Sequence, residues 1–385
     1  MTPAARLAAA IDVLDRVLAG TPAEQALTNW GRASRFAGSG DRNAVRDLVY
    51  DALRCRRSYA ALGGGLSGRG LMLGALRSSG TDPATLFTGE GHAPPKIAPE
   101  DQGGTPSEGE ALDLPDWLLP QMAETLGPDL QDIAQALRQR APIFLRVNLR
   151  RATVESAISA LLAEGIFVET HPLADTALMV TTGARKVQTS QAYLTGLVEL
   201  QDAASQAVVN ALPLRDGMRV LDHCAGGGGK TLAMAARANL SLFAHDASSA
   251  RMRDLPPRAT RAGAKVTLTQ TPEAQAPFDL ILADVPCSGS GSWRRDPQGK
   301  WALTPERLAQ IVESQDAILD RLAPMVAPGG VLAYVTCSLL KAENEDRIAS
   351  FQSRTPGWQL LNTHQFTPLA GGDGFFVAQL TQCKV

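Results

Sequence analysis

Val220-Leu221-Asp222-His223-Cys224-Ala225-Gly226-Gly227-Gly228-Gly229-Lys230-Thr231 runs from an apolar strand through a tetraglycine turn into a helix. Glycines let a backbone approach a ligand closely, and the first turn of a helix offers unpaired N–H donors. From Gly217 onward short apolar runs alternate with helical spacing. The expected strands are Arg219–Asp222, Leu240–Asp246, Lys265–Leu268, Phe278–Asp284 and Val331–Thr336, closed by the pair Trp358–Leu361 and Gly374–Leu380. That alternation predicts an α/β, doubly wound, mostly parallel sheet. Asp246 ends the strand after the turn, where such folds set a carboxylate on a ribose. A phosphate-binding P-loop is excluded, because Cys224 stands five positions before Gly229 where that motif needs glycine. The predicted nucleotide site therefore comprises Cys224, Ala225, Gly226, Gly227, Gly228, Gly229, Lys230 and Asp246, with Asp284 facing them from another strand end.

Upstream the grammar differs. Thr2-Pro3 starts a helix whose Leu7, Ile11, Leu14, Val17 and Leu18 share one face, and Thr21-Pro22-Ala23-Glu24 reads as a capping box for the next. A third helix is expected after Asp41, and Asp116 is expected to cap a helix further on. Residues 1–136 thus predict an all-α domain, with 88–112, poor in large apolar groups, as a mobile loop. Residues 142–206 mix strand-like and helical runs and predict a small α/β subdomain. Residues 207–385 form the Rossmann-like domain.

The net charge of −2 gives no hint of nucleic-acid binding. Local charge does: residues 1–79 hold eleven Arg against six acidic residues, and Arg251, Arg253, Arg258 and Arg261 cluster later. A solvated surface explains either cluster equally well. Five widely spaced cysteines without a paired C-x-x-C argue against disulfides and against a metal site. No apolar run suits a membrane span and the start of the chain lacks a secretory pattern, so a cytoplasmic protein is expected.

Two cysteines stand out. Asp284-Val285-Pro286-Cys287-Ser288-Gly289-Ser290-Gly291 follows one predicted strand, and Thr336-Cys337-Ser338 follows the next. In an open α/β sheet ligands bind at the C-terminal strand edge, so both thiols are delivered to the crevice of the glycine turn. Packing in a core is the commoner fate of one cysteine. Two at adjacent strand ends suggest chemistry.

These stretches resemble the Sun-type RNA (cytosine-5) methyltransferases: Asp222–Thr231 that family's D-x-C-A-A-P-G-G-K-T, Asp284–Gly291 its D-A-P-C-S-G-x-G, Thr336–Glu345 its T-C-S-x-x-x-x-E-N-E, and Gly374–Ala378 its G-F-F-x-A. Gln201-Asp202-Ala203-Ala204-Ser205-Gln206 extends the likeness to about 142–385. Asp41–Tyr50 with Leu53-Arg54 resembles a NusB-like RNA-binding domain, a fusion similar to the bacterial B-type small-subunit ribosomal RNA methyltransferases. The resemblance implies S-adenosylmethionine as cofactor, RNA as partner, a monomer, and no metal. It implies Cys337 as the nucleophile, Cys287 as the residue that releases product, and Asp284 as the carboxylate beside the base. DNA cytosine-5 methyltransferases use the Pro-Cys thiol instead, which would reverse the two cysteines. Arg294 and Arg295, in the continuation Trp293–Pro297, are expected to touch RNA phosphates, with surface salt bridges as the rival account. Gly226-Gly227 replaces the family's Ala-Pro, and Gln270-Thr271-Pro272-Glu273 lacks its aspartate after the third strand. Two other functions compete: the same chemistry on transfer RNA or DNA, and a non-catalytic RNA-binding protein of ribosome assembly.

Overall fold

The computed structural model describes residues 1–383, which fall into two units: Met1–Arg140 with Trp293–Leu303, and Ala141–Ser292 with residues 304–383.

The first unit is helical. Pro3–Leu18 begins as expected, with the Thr2 hydroxyl accepting from the Ala5 N–H. Ala23–Ala33 does not begin with the expected capping box. Its Ala23 N–H donates instead to the Gln298 side-chain oxygen at 2.8 Å, while Glu24 pairs with Arg46 and Tyr50. A distant amide thus satisfies a donor that sequence assigns to Thr21. Ser39–Arg54 starts two residues before Asp41, whose carboxylate takes the N-terminal amine and Arg6. Asp116 pairs with Arg57 at 2.6 Å and caps nothing.

Helices Arg56–Gly63 and Gly68–Ser78 pack backbone to backbone. A Cβ on Gly74 would lie 1.9 Å from the Tyr59 carbonyl oxygen, so only glycine permits this approach. Gly74→Ala is expected to lower stability by about 2–3 kcal/mol. Gly40→Ala, at a helical site with nothing within 4 Å of the new methyl, should be neutral or stabilising by the same thermal unfolding measurement.

The stretch 88–112 has little apolar anchorage, but it is tied down by charge. Arg69 pairs with Asp101 at 2.6 Å and donates to the Pro95 and Lys96 carbonyls, and Arg77 donates to the Asp101 carbonyl.

Trp293–Leu303 joins this unit because the last carbonyls of Ser39–Arg54 need donors. Trp301 Nε1 reaches the Leu53 carbonyl at 2.6 Å and Lys300 Nζ the Arg54 carbonyl at 2.9 Å, while Arg54 Nε donates to the Arg294 carbonyl. Burial lowers the Lys300 pKa to about 8. Arg294 itself is buried, which removes it from the expected phosphate contacts; Arg295 is exposed.

The second unit holds two sheets. Strands β1 (Phe144–Val147), β2 (Phe167–Thr170), β3 (Ala177–Thr182) and β4 (Val198–Leu200) form an antiparallel sheet in the order β2-β3-β1-β4. β3 and β4 were not expected. The larger sheet runs β10-β11-β9-β8-β5-β6-β7, from β5 (Arg219–Asp222), β6 (Ser241–Ala244), β7 (Thr267–Leu268), β8 (Phe278–Asp284), β9 (Val326–Thr336), β10 (Trp358–Phe366) and β11 (Phe375–Gln382). β5 to β9 are parallel; β11 is antiparallel to β9 and β10.

Alternate residues of each strand face opposite cores. Val220, Leu280, Leu282, Ala333 and Val335 pack with Val208 and Met234 on one side. Leu221, Ile281, Ala283, Leu332 and Tyr334 pack with Leu319, Leu322 and Phe351 on the other. From β5 the chain steps outward through β6 and β7, then returns to β8 on the opposite flank. The reversal opens a crevice above the C-terminal ends of β5 and β8, the position at which such sheets bind ligands.

Candidate active site

Asp222, at the end of β5, is 1 % exposed. Its Oδ2 accepts from Thr231 Oγ1 at 2.6 Å, and burial raises its pKa to about 7 against that hydroxyl. Gly228 has φ +81°, and a Cβ there would lie 2.1 Å from Leu255, so the turn admits no side chain at this point. Helix Gly229–Arg237 then begins without a side-chain cap. Asp246 was expected to be free for a ribose. Its oxygens take the Gly226 and Ser248 N–H groups, both at 3.0 Å, and pair with Arg251, so the carboxylate shapes the turn.

Two further arginines brace the turn from below. Arg146 of β1, fully buried, donates to the Gly229 carbonyl at 2.8 Å and to Gln201; burial lowers its pKa to about 10. Arg258 donates to the Gly227 carbonyl and shares Glu199 with Arg261. Arg258 and Arg261, half-buried, therefore serve as scaffolding, while Arg251 and Arg253 are exposed. Only Arg253, paired at 3.9 Å with exposed Asp254, faces solvent on both sides of its ion pair.

The residues of the turn fit an adenosyl sulfonium cofactor. The tight glycine cradle and uncapped helix start offer donors without side-chain obstruction, and the second Asp222 oxygen is buried with no hydrogen-bond partner among the described residues. Cys224 is held as a neutral thiol by burial. The His223 and His245 rings stack 4.7 Å apart, and burial lowers the His223 pKa to about 4, so this neighbour adds no charge.

The thiols meet at the same edge. Cys287 Sγ and Cys337 Sγ are 3.2 Å apart. The loops bearing them are stitched together: the Val285 N–H donates to the Val335 carbonyl, the Gly291 N–H to the Cys337 carbonyl, and the Gly374 N–H to the Gly291 carbonyl. Beneath them lies Glu343, 0 % exposed. It accepts from the Ser288 N–H at 2.8 Å, from the Ser288 and Ser338 hydroxyls, and from Gln315 Nε2 at 3.1 Å. Asn344 takes the Thr336 hydroxyl at 2.6 Å and donates to the Ser338 carbonyl. Each residue that follows a thiol is thus fixed to one carboxylate. Sequence gave Glu343 only as part of a motif match; the signal that it matters is a glutamate six residues past a strand-end cysteine.

Lys230 Nζ bonds Asp284 Oδ2 at 2.7 Å and lies 4.8 Å from the Phe375 ring centre. Burial works against its charge, but the carboxylate and the nearby sulfur hold its pKa above the ordinary value. The two thiols are polarised in opposite senses. Its hydrogen bond with Cys287, helped by the Lys230 charge, lowers the Cys337 pKa despite burial and Asp284. Accepting no such help, Cys287 is pushed well up, first by its hydrogen bond to Cys337 and then by burial. Cys337 is the thiol of the pair that loses its proton more readily, and the thiolate is the nucleophilic form.

A pH profile follows. A lowered pKa means that Cys337 keeps its thiolate as pH falls below the ordinary thiol range. Alkylation of Cys337 by iodoacetamide should reach half its maximal rate at lower pH than in unfolded protein. Lys230→Met should move that midpoint upward; an unmoved midpoint would remove Lys230 from the activation of the thiol.

Residues 209–381 match the family described as 16S rRNA methyltransferase RsmB/F, and residues 114–188 match its RsmF/B-like ferredoxin-like domain. The chain carries the methyltransferase and ferredoxin-like domains of the RsmB/F family. Among relatives, ribosomal RNA small subunit methyltransferase B of Klebsiella pneumoniae is 34 % identical over 284 residues, which are 69 % of this chain and 65 % of that protein. The chain thus spans just under two thirds of the length of the curated RsmB relatives it matches. The crystal structure of PH0851 superposes with a TM-score of 0.77 over 99 % of both chains at 23 % identity, which shows a shared fold. A methyltransferase homolog protein from Pyrococcus horikoshii gives 0.62 over 70 % of this chain and 96 % of its own, at 25 % identity. The RsmB/F match contains both cysteines, Asp284, Lys230 and Glu343.

Proposed function

We propose that the chain is an S-adenosylmethionine-dependent RNA (cytosine-5)-methyltransferase acting on small-subunit ribosomal RNA. The observation that carries this reading is the thiol pair, 3.2 Å apart, with Cys337 favoured as thiolate beside the Lys230–Asp284 pair. Carbon 5 of cytosine is a weak nucleophile. The Cys337 thiolate adds to carbon 6 of a cytosine taken out of its stack, and the electron pair moves onto carbon 5. Asp284, 31 % exposed at the strand end, is the carboxylate for N3 and the exocyclic amino group, and Lys230 orients it. When bound, the cofactor supplies an electrophilic sulfonium methyl group. Loss of the carbon 5 proton to a base then lets Cys337 leave carbon 6, and Cys287 stands beside the departing sulfur.

Cys224 to Lys230 and the Asp246-braced turn form the cofactor site in this reading, with Asp284 at its mouth. Helical residues 1–136 serve RNA contact, joined by the small α/β subdomain 142–206 to the catalytic domain 207–385, in a monomeric cytoplasmic protein. No helix of the described residues is long and apolar enough to cross a membrane, and no cluster among them could hold a metal ion. That its relatives are ribosomal RNA small subunit methyltransferases B favours ribosomal over transfer RNA as acceptor.

The test uses RNA carrying tritium at carbon 5 of cytidine. With S-adenosylmethionine, small-subunit ribosomal RNA should release one tritium to water per methyl group gained. Methyl gain without tritium release would refute carbon 5 as acceptor, and faster release from transfer RNA would refute the ribosomal assignment. Absence of both, with no calorimetric heat at millimolar cofactor, would leave the assembly-protein reading.

A further inference from the structure

Phe36 is 77 % exposed, the most exposed of the large apolar side chains among the described residues. A single exposed apolar side chain is ordinary on a protein surface. What sets this one apart is the rigidity beneath it and the charge around it. Phe36 lies on the link between helices Ala23–Ala33 and Ser39–Arg54. Its neighbours are anchored inward: Ser34 is 8 % and Ala37 4 % exposed. The Ser34 N–H donates to the Trp30 carbonyl at 2.8 Å and the Ala37 N–H to the Ser34 carbonyl at 3.0 Å. Arg42 Nε donates to the Ala37 carbonyl at 3.0 Å and lays its stem 3.9 Å from where a Cβ on Gly31 would stand. The link is short, braced on both sides, and holds its aromatic ring out in solvent.

Arg32 and Arg35, exposed on the preceding helix turn and on the link itself, take part in no hydrogen bond or ion pair among the described residues. The nearby carboxylates are already matched. Asp41 is held by the N-terminal amine and Arg6, and Glu24 by Arg46 and Tyr50. The link and the helix turn before it therefore present two exposed arginines without ion-pair partners among the described residues and one exposed aromatic ring, all within residues 32–36. That chemistry suits a polyanion with exposed π-faces: unpaired nucleobases stack on aromatic side chains, and their phosphates meet arginines. A duplex would present phosphates but no open base for the ring.

We infer that Phe36, Arg32 and Arg35 form a stacking site for an unpaired base of single-stranded RNA, outside the cysteine-bearing crevice. The inference deepens the proposed function, on which it rests only for the choice of RNA as ligand. Binding of a fluorescent single-stranded 12-mer RNA of mixed sequence to the full chain, without cofactor, tests it. Phe36→Ala should weaken binding about tenfold. Phe36→Trp should bind at least as well as the wild type, and Phe36→Leu should behave like alanine, because stacking needs a π-face and not merely an apolar one. Arg32→Gln and Arg35→Gln should each reduce the slope of log affinity against log salt by about 0.7.

Unchanged affinity in Phe36→Ala, or full retention in Phe36→Leu, would overturn the site and leave this face to a protein partner. Because Phe36 is exposed, its variants should melt with the wild type. Tritium release separates the two readings. Phe36-independent binding with intact release defeats this inference alone. Phe36-dependent binding by a protein that never releases tritium upholds it while defeating the proposed reaction.

Discussion

Cys337→Ala is expected to lower methyl transfer by at least about four orders of magnitude, because the other thiol at these strand ends, Cys287, holds its proton and so does not replace the lost nucleophile. Cys287→Ala is expected to behave differently, keeping the first addition and accumulating a protein–RNA adduct that survives a denaturing gel. The difference rests on the polarity of the pair. Cys287 is held well above the ordinary thiol range by its bond to Cys337 and by burial, with the Glu343 charge adding to both. A sulfur that holds its proton does not add to a ring, but it can serve the step in which Cys337 must leave. Removing Cys287 takes away its hydrogen bond to Cys337 but spares the Lys230 charge and Asp284, so addition to carbon 6 should slow less than elimination does. Adduct formed by the Cys337→Ala protein, with none from Cys287→Ala, would reverse the two roles and align the chemistry with the Pro-Cys arrangement.

The sheet was legible because its strands are apolar runs cut off by polar or glycine-rich turns. Phe278–Asp284 has the predicted bounds, and Arg219–Asp222 likewise. β9 begins at Val326 and runs through Pro328-Gly329-Gly330, a tripeptide that reads as a stop; it falls in the register shift between the Phe278–Val326 and Leu280–Val331 pairs, before the pairing with β11 starts at Leu332, so no paired position falls on it. β3 and β4 were missed although Gly183 follows the one and Gly196 precedes the other; β4 is only three residues long, and both strands carry charged or hydroxyl residues that break an apolar run. In the site, the thiols and the glycine turn were legible because each sits at a strand end. The braces were not. Arg146 lies 83 residues from the carbonyl it holds, and Gln298 275 residues from the helix start it caps. Local spacing carries no information about such partners. Arg294 failed for a related reason: a basic pair in a motif reads as surface, whereas its segment is drawn into the helical unit by Lys300, Trp301 and Arg54.

Glu343→Gln tests whether the two cysteine loops are aligned by one buried carboxylate. The substitution preserves shape and leaves an oxygen for the Ser288 N–H and Gln315 amide, which both approach Oε1. The other position becomes an NH2 group facing the Ser288 and Ser338 hydroxyls, which must turn round to accept. Ser338 Oγ also contacts Ser290 Oγ at 3.0 Å and takes the Leu340 N–H at 3.0 Å, so its reversal disturbs the turn after Cys337. Displacements of this kind, up to about 1 Å at reacting atoms, cost on the order of 100-fold in rate. The expected result is a kcat about 100-fold lower with KM for RNA little changed, and slower iodoacetamide alkylation of Cys337 at neutral pH. Glu343→Ala goes further, taking this acceptor from the Ser288 N–H and from Gln315 Nε2, which keeps only its bond to the Pro286 carbonyl, at about 1–3 kcal/mol each, and should lower Tm as well as activity. If Glu343→Gln turns over at the wild-type rate with unaltered Cys337 reactivity, alignment of the thiols does not depend on the charge of this residue, and the strand ends alone hold the pair.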